Sequence, residues 1–137
     1  MGESCLFCEI RDGKIPAHRV YEDARTLAFL DVNPRAPGHT VIIPKYHSEN
    51  ILDLPEQELA ALFRTVKKVA GRITHVLKAD GLTIGINQGA VSGQTIRHLH
   101  VHVLPRFMGD GGGSVHSVVN NPSKESLTQI AKQIKID

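Results

Sequence analysis

The segment His98-Leu99-His100-Val101-His102-Val103-Leu104 constrains this chain more than any other stretch. Strict alternation of imidazole and apolar residues suits an extended strand, whose side chains point to opposite faces in turn. His98, His100 and His102 then share one face, while Leu99, Val101 and Val103 enter the core from the other. Three imidazoles in a row on one face are costly to place without a use, because buried ones need partners and crowded ones repel when charged. Two chemistries suit them: a metal site, or a nucleophile flanked by proton donors. A metal alone accounts for them incompletely, since no Asp or Glu lies in the strand to serve as base or supporting partner. The lead-in Gly85, Asn87, Gly89, Gly93, Gln94 and Thr95 instead offers backbone N–H groups and neutral donors to an anion such as phosphate. Arg97 and Arg106 lie close by in sequence.

The rest of the composition is ordinary. With 137 residues, 41% hydrophobic and 22% charged, the chain is expected to form a single domain over residues 1–137 with its own core. Sixteen Lys and Arg against fourteen Asp and Glu give +2, with no block of one sign. That balance argues against nucleic acid or a membrane as partner through bulk electrostatics. Met1-Gly2-Glu3-Ser4 lacks the basic and apolar run of a signal peptide, and Leu6 stands where the myristoylation pattern wants Ser or Thr. No apolar run approaches the roughly 20 residues that span a bilayer. A soluble, cytoplasmic protein is the expectation.

Along the chain, a short helix is expected over about Cys5–Asp12, ended by Gly13. Val20-Tyr21 and Thr26–Leu30 read as strands, and Asn33-Pro34-Arg35-Ala36-Pro37-Gly38 as a turn. His39–Ile43 is a β-branched strand stopped by Pro44. Asp53 can cap a long helix, with Pro55 in its first turn and Glu56 at capping-box spacing. Leu59, Leu62, Phe63, Val66, Ala70, Ile73 and Leu77 recur at helical period up to an end at Gly81. Leu82–Ile86 and His98–Leu104 read as further strands, the latter stopped by Pro105, and Ser123–Ile136 as a C-terminal amphipathic helix. Strands, one long helix, then strands without regular alternation indicate an α+β fold with an antiparallel sheet.

The pattern His-φ-His-φ-His-φ-φ, with φ apolar, resembles the signature of the histidine triad (HIT) superfamily of nucleotide hydrolases and transferases. Phe7-Cys8-Glu9-Ile10, Ile15-Pro16-Ala17, Val20-Tyr21-Glu22-Asp23, Leu27-Ala28-Phe29-Leu30-Asp31 and Ala36–Lys45 also resemble family segments, in family order, over residues 5–106. The tail 107–137 carries no motif. The resemblance implies a five-stranded antiparallel sheet with one long helix, joined as a homodimer with a continuous sheet. It also implies hydrolysis at a nucleoside 5′-phosphoryl group, with a purine nucleotide as substrate and no catalytic cofactor. The leaving group would be a phosphoramidate or similar; a dinucleoside polyphosphate hydrolase or nucleotidyl transferase, and a nucleotide sensor with little turnover, are the alternatives. Matched to the motif, His100 would be the nucleophile and His102 would bond the phosphoryl oxygens and protonate the leaving group. His39 would be the upstream fourth histidine. Asn87, Gln94 and Thr95 would hold the phosphate, Asp31 the ribose hydroxyls, and Leu6, Phe7, Ile10, Phe29, Leu30 and Val32 the base.

Cys5 and Cys8 form a Cys-x-x-Cys. By themselves two cysteines three apart could bind zinc, cycle between thiol and disulfide, or simply pack, though the βαβ setting of a thioredoxin-like motif is missing. The resemblance to microbial members with this motif implies structural zinc, the other ligands being His47 and His98, a closed tetrahedral set.

Overall fold

The computed structural model describes residues 4–137; the reading of the first residues as lacking a leader falls partly on 1–3, outside the described ones. Five strands form one antiparallel sheet: β1 (Arg19–Glu22), β2 (Thr26–Leu30), β3 (Thr40–Pro44), β4 (Gly81–Gly85) and β5 (Val101–Arg106). Their order across the sheet is β1-β2-β3-β5-β4. Helix α1 (Leu6–Arg11) precedes the sheet, the long α2 (Glu56–Leu77) connects β3 to β4, and α3 (Leu127–Ile134) lies in the tail. This is the α+β architecture expected. Among the described residues no helix is long and apolar enough to cross a membrane.

Both faces of the central strands are covered. Ala28, Ile42, Leu99, Val101 and Val103 pack with Leu62, Val66, Val69 and Ile73 of α2. On the other face Leu27, Phe29, Val41 and Ile43 pack with Phe7 and Ile10 of α1. Period-two alternation in the strands therefore supplies two cores from one sheet, and the histidines fall on the α1 side.

Several boundaries differ from those expected, each for a local reason. Asp53 does not cap α2: Pro55 holds the cap position without a side-chain bond, and its carbonyl accepts from Glu58 and Leu59 at 3.0 and 2.9 Å. The helix stops at Leu77, where Lys78 takes the left-handed conformation at φ 54°; Gly81 opens β4. The histidine strand starts at Val101, because its ladder with β3 begins at the Ile42–Val101 pair and Leu99 N–H turns instead to Ser48 O at 2.7 Å. It continues through Pro105, which is tolerated because β3 pairs only with residues 101–103 and leaves that side of β5 open. α3 is shorter than expected, held by a capping box between Ser126 and Gln129.

Candidate active site and metal centre

His39 and His102 are brought together by register: Val41 pairs with His102, and Thr40 with Val103. His39 precedes β3 at the exit of the Pro37-Gly38 turn. Gly38 is required there, because its φ is +84° and a Cβ would overlap Leu77 Cδ1 of α2 and meet Pro105 Cγ at 3.4 Å. His39 Nδ1 accepts the Arg35 N–H at 3.1 Å, so its own proton sits on Nε2. His39 Nε2–H faces His102 Nδ1 at 3.0 Å and Asp31 Oδ2 at 3.5 Å. His102 therefore accepts at Nδ1 and carries its proton at Nε2, as a donor. One backbone N–H, through two rings, fixes the tautomer of both.

His100 is set differently. Its Nδ1–H donates to the His98 carbonyl at 2.7 Å, which leaves Nε2 with a free lone pair. Its ring centroid is 5.0 Å from that of Phe7 and 5.0 Å from that of His102, both edge-on. Burial holds His39, His100 and His102 below the ordinary histidine value, His102 at about 4, with the neighbouring imidazoles adding to burial at His102. A neutral imidazole with a lone pair thus stands beside a neutral imidazole with an N–H, as nucleophilic attack paired with proton donation requires.

His98 belongs to a second cluster. Its Nε2–H donates to Pro44 O at 2.8 Å, turning the Nδ1 lone pair toward His47 Nδ1 at 3.1 Å, Cys5 Sγ at 3.4 Å and Cys8 Sγ at 3.5 Å. Cys8 Sγ lies 3.3 Å from His47 Nδ1, and all four atoms lie within 4.8 Å of one another. A tetrahedral zinc with about 2.3 Å to sulfur and about 2.0 Å to nitrogen separates its ligand atoms by roughly 3.3–3.8 Å, so the set fits. The imidazole N–H bonded to a carbonyl is also the usual support of a ligating histidine. Burial pushes the Cys8 thiol up to about 11, with the Cys5 thiol adding to it, and burial pushes His98 down to about 4. A divalent cation reverses the first shift and uses the neutral ring of the second.

Asp31, His39 and His102 also approach closely enough to hold an ion. There the chemistry disfavours it: with Nδ1 occupied by the Arg35 N–H, His39 has no lone pair left at Nε2. The two clusters differ in which ring nitrogen the backbone has taken.

A family model for the HIT domain matches residues 12–109. The chain belongs to the HIT domain family. Members of this family are nucleotide-binding proteins and hydrolases. An uncharacterised HIT-like protein of Methanocaldococcus jannaschii is 43% identical over 131 residues, covering 96% of this chain and 98% of that one. A zinc-bound histidine triad family protein from Mycobacterium smegmatis superposes with a TM-score of 0.75 at 41% identity, covering 79% of this chain and 78% of that one. An adenylylsulfatase of Arabidopsis thaliana is 37% identical over 102 residues, 74% of this chain and 52% of that protein.

Within this HIT fold the remaining expected site residues are placed unevenly. Asp31 is shared, its Oδ1 accepting the Asn33 N–H at 2.8 Å to close a turn while Oδ2 faces His39. Leu30 and Val32 flank it, Val32 being 79% exposed. Phe7, Ile10 and Phe29 are buried in the α1 cluster, and Phe7 lies edge-on to the His98 and His100 rings. Gln94 is spent on the loop, accepting Gly89 N–H at 2.9 Å and donating to Glu49 O at 2.8 Å and Ile96 O at 3.1 Å. Asn87 lies against Gly93. Leu6 and Thr95 line a cleft of about 820 Å³ with Cys5, Cys8 and His47. Arg106 bonds Asp110 and Gly113 O and so closes the glycine loop. Sequence reasoning missed the Arg35 N–H and the Pro44 carbonyl, which set the tautomers of His39, His102 and His98; backbone groups carry no residue signature.

Proposed function

We propose that this protein is a nucleotide hydrolase that removes a nucleoside 5′-phosphoryl group from its leaving group through a nucleotidyl intermediate on His100. The observation that carries this reading is the His100 Nδ1–H bond to the His98 carbonyl at 2.7 Å, which leaves Nε2 with its lone pair beside a neutral His102. The His100 Nε2 lone pair forms the bond to the α-phosphorus as the bond to the leaving group breaks. The leaving group departs with the electron pair of the broken bond and takes up a proton from solvent while accepting a hydrogen bond from His102 Nε2–H; His39 Nε2–H supports His102 Nδ1, so both rings stay neutral. Water then attacks the phosphorus and gives up a proton to solvent as the phosphorus–nitrogen bond breaks; its electron pair returns to His100 Nε2 and the nucleoside monophosphate is released. Splitting one displacement in two, with donors fixed before substrate arrives, is where the acceleration would come from.

Asp31 is proposed to take ribose hydroxyls with Oδ2, and Leu30 and Val32 to edge the base of a purine nucleotide. Cys5, Cys8, His47 and His98 are proposed to hold zinc, which when bound supplies structure and charge, not chemistry. A homodimer through β4 and α2 is proposed too; β4 is paired on one side only, and Ile84, Phe63 and Leu77 are 45%, 41% and 40% exposed.

His100→Ala should abolish turnover and leave nucleoside monophosphate binding intact; mass spectrometry of rapidly quenched wild type should place the nucleotidyl group on His100. An adduct on another histidine sinks the mechanism. Rates on adenosine phosphoramidate, diadenosine polyphosphates and adenylyl sulfate, measured on one preparation, rank the leaving groups; the Arabidopsis relative makes sulfate the arm to watch.

A further inference from the structure

We infer that a groove on the α2 side of the sheet, remote from the histidines, binds the phosphate chain of a short polyphosphate anion. The groove has a volume of about 740 Å³ and lies between α2 and the β1–β2 turn. That is within the roughly 300–1,000 Å³ of small-molecule sites. Arg25, Arg64, Lys67, Lys68 and Arg72 line it, with Asp23 the one carboxylate among its lining residues. Arg64, Lys68 and Arg72 follow one another at four-residue spacing and so form one ridge, about 12 Å long at 1.5 Å per residue.

Among the described residues Arg25 alone of these five cations has a carboxylate partner. Arg25 pairs with Glu58 at 3.4 Å, and Lys68 donates to Tyr21 OH at 3.3 Å with its Nζ 4.9 Å from the ring centroid. Among the described residues Arg64, Lys67 and Arg72 have no carboxylate partner. The helix dipole favours cations only in the last turn, and Arg64, Lys67 and Lys68 lie before it. Gly71 lies within the unbroken helix where a Cβ would touch nothing, so no packing neighbour needs the room, and the wall of the groove stays open there.

Charge balance sets the size of the anion. The groove takes five bases and one acid from a total of sixteen and fourteen, leaving eleven bases and thirteen acids on the rest of the chain. The net positive charge is therefore concentrated here and the remaining surface is net negative. A long polyanion would gain contacts in the groove and be repelled beyond it; three or four linked phosphates fit within the ridge. The phosphate chain could be free or the tail of a nucleotide.

Calorimetric titration of the full chain at low salt, with amide NMR shifts as the local readout, separates the cases. Tripolyphosphate should bind one-to-one and shift Gly71 and Arg72, and binding should weaken roughly thirtyfold in Arg64→Gln/Lys68→Gln/Arg72→Gln, about threefold per charge. That variant should keep wild-type melting and turnover; if it melts early, Lys68→Gln and Arg72→Gln singly should each show the threefold loss. AMP should leave Gly71 unshifted. Tighter binding of tripolyphosphate than of α,β-methylene-ATP assigns a free chain, and the reverse order a nucleotide tail. Unsaturable tripolyphosphate binding, unchanged affinity in the variants, or shifts confined to the histidines overturn the site. An oligothymidylate or poly-glutamate that binds the groove more tightly than tripolyphosphate overturns the short-anion assignment. None of these outcomes depends on His100 being a nucleophile.

Discussion

Gly38→Ala puts the link between the long helix and the histidine site under test. A non-glycine residue at φ +84° costs about 1–2 kcal/mol from backbone sterics. The added methyl also overlaps Leu77 Cδ1 and presses on Pro105 Cγ, and overpacking of this kind costs about 1–3 kcal/mol. Together they place the loss at about 2–5 kcal/mol, a large part of the ~5–15 kcal/mol that holds a native domain. Leu77 is 40% exposed and can swing aside, so the lower half of that range is expected. Urea denaturation of wild type, Gly38→Ala, Leu77→Ala and the double variant measures both parts. The cycle should show about 1 kcal/mol of coupling, because removing Leu77 relieves the overlap and leaves the backbone cost. The turn closes with His39 N–H on Ala36 O at 3.1 Å, so its displacement carries His39 away from His102 and should lower kcat more than it raises KM. A Gly38→Ala protein within 0.5 kcal/mol of wild type, with unchanged kcat, would refute the reasoning.

Other expected outcomes concern the rings and the cysteines. Phe7→Ala removes a buried side chain lying edge-on to His100, and should cost about 3–5 kcal/mol in denaturant melts; a cost under 1 kcal/mol would mean α1 does not rest on the site as described. His102 sits at about 4 in the folded chain against an ordinary 6.5, so below pH 6.5 the unfolded chain takes up a proton that the native ring refuses. Stability should fall as pH drops from 6.5 to 4, by about 1–2 kcal/mol from this partly solvated ring, and the fall should shrink in His102→Gln; the same slope in both proteins counts against a depressed His102. The acid limb of kcat should likewise lie below pH 6.5, since burial lowers His100 as well. Zinc analysis by mass spectrometry should find about one ion per wild-type chain and none in Cys8→Ser, which should also melt earlier. Equal zinc in both would remove Cys8 from the ligand set.

Much of the site was legible in residue order. The alternation at 98–104 assigned faces correctly, since Leu99, Val101 and Val103 are all buried beneath α2 while His98 and His100 meet Phe7 of α1 on the other side. Where the reading went astray, a non-local partner overrode a local signal. Asp53, Pro55 and Glu56 spell a capping box, yet Asn50 Oδ1 takes the Leu52 and Asp53 N–H groups at 2.9 and 3.3 Å and the helix begins after Pro55.

Residue order by itself determined which side chains are available to each face, because a strand has a period of two and a helix of 3.6 whatever they pack against. It also set the chemistry within reach: imidazoles, thiols, and a glycine where φ must be positive. Only the tertiary structure decided what each imidazole can do. A histidine ring offers two nitrogens, and its role depends on which of them a neighbour has already claimed. Pro44 O claims Nε2 of His98 and leaves Nδ1 for a metal; His98 O claims Nδ1 of His100 and leaves Nε2 for phosphorus. The Arg35 N–H claims Nδ1 of His39 and, through it, makes His102 a donor. Those claimants are backbone groups identical along the whole chain, so their effect arises only from where the fold brings them.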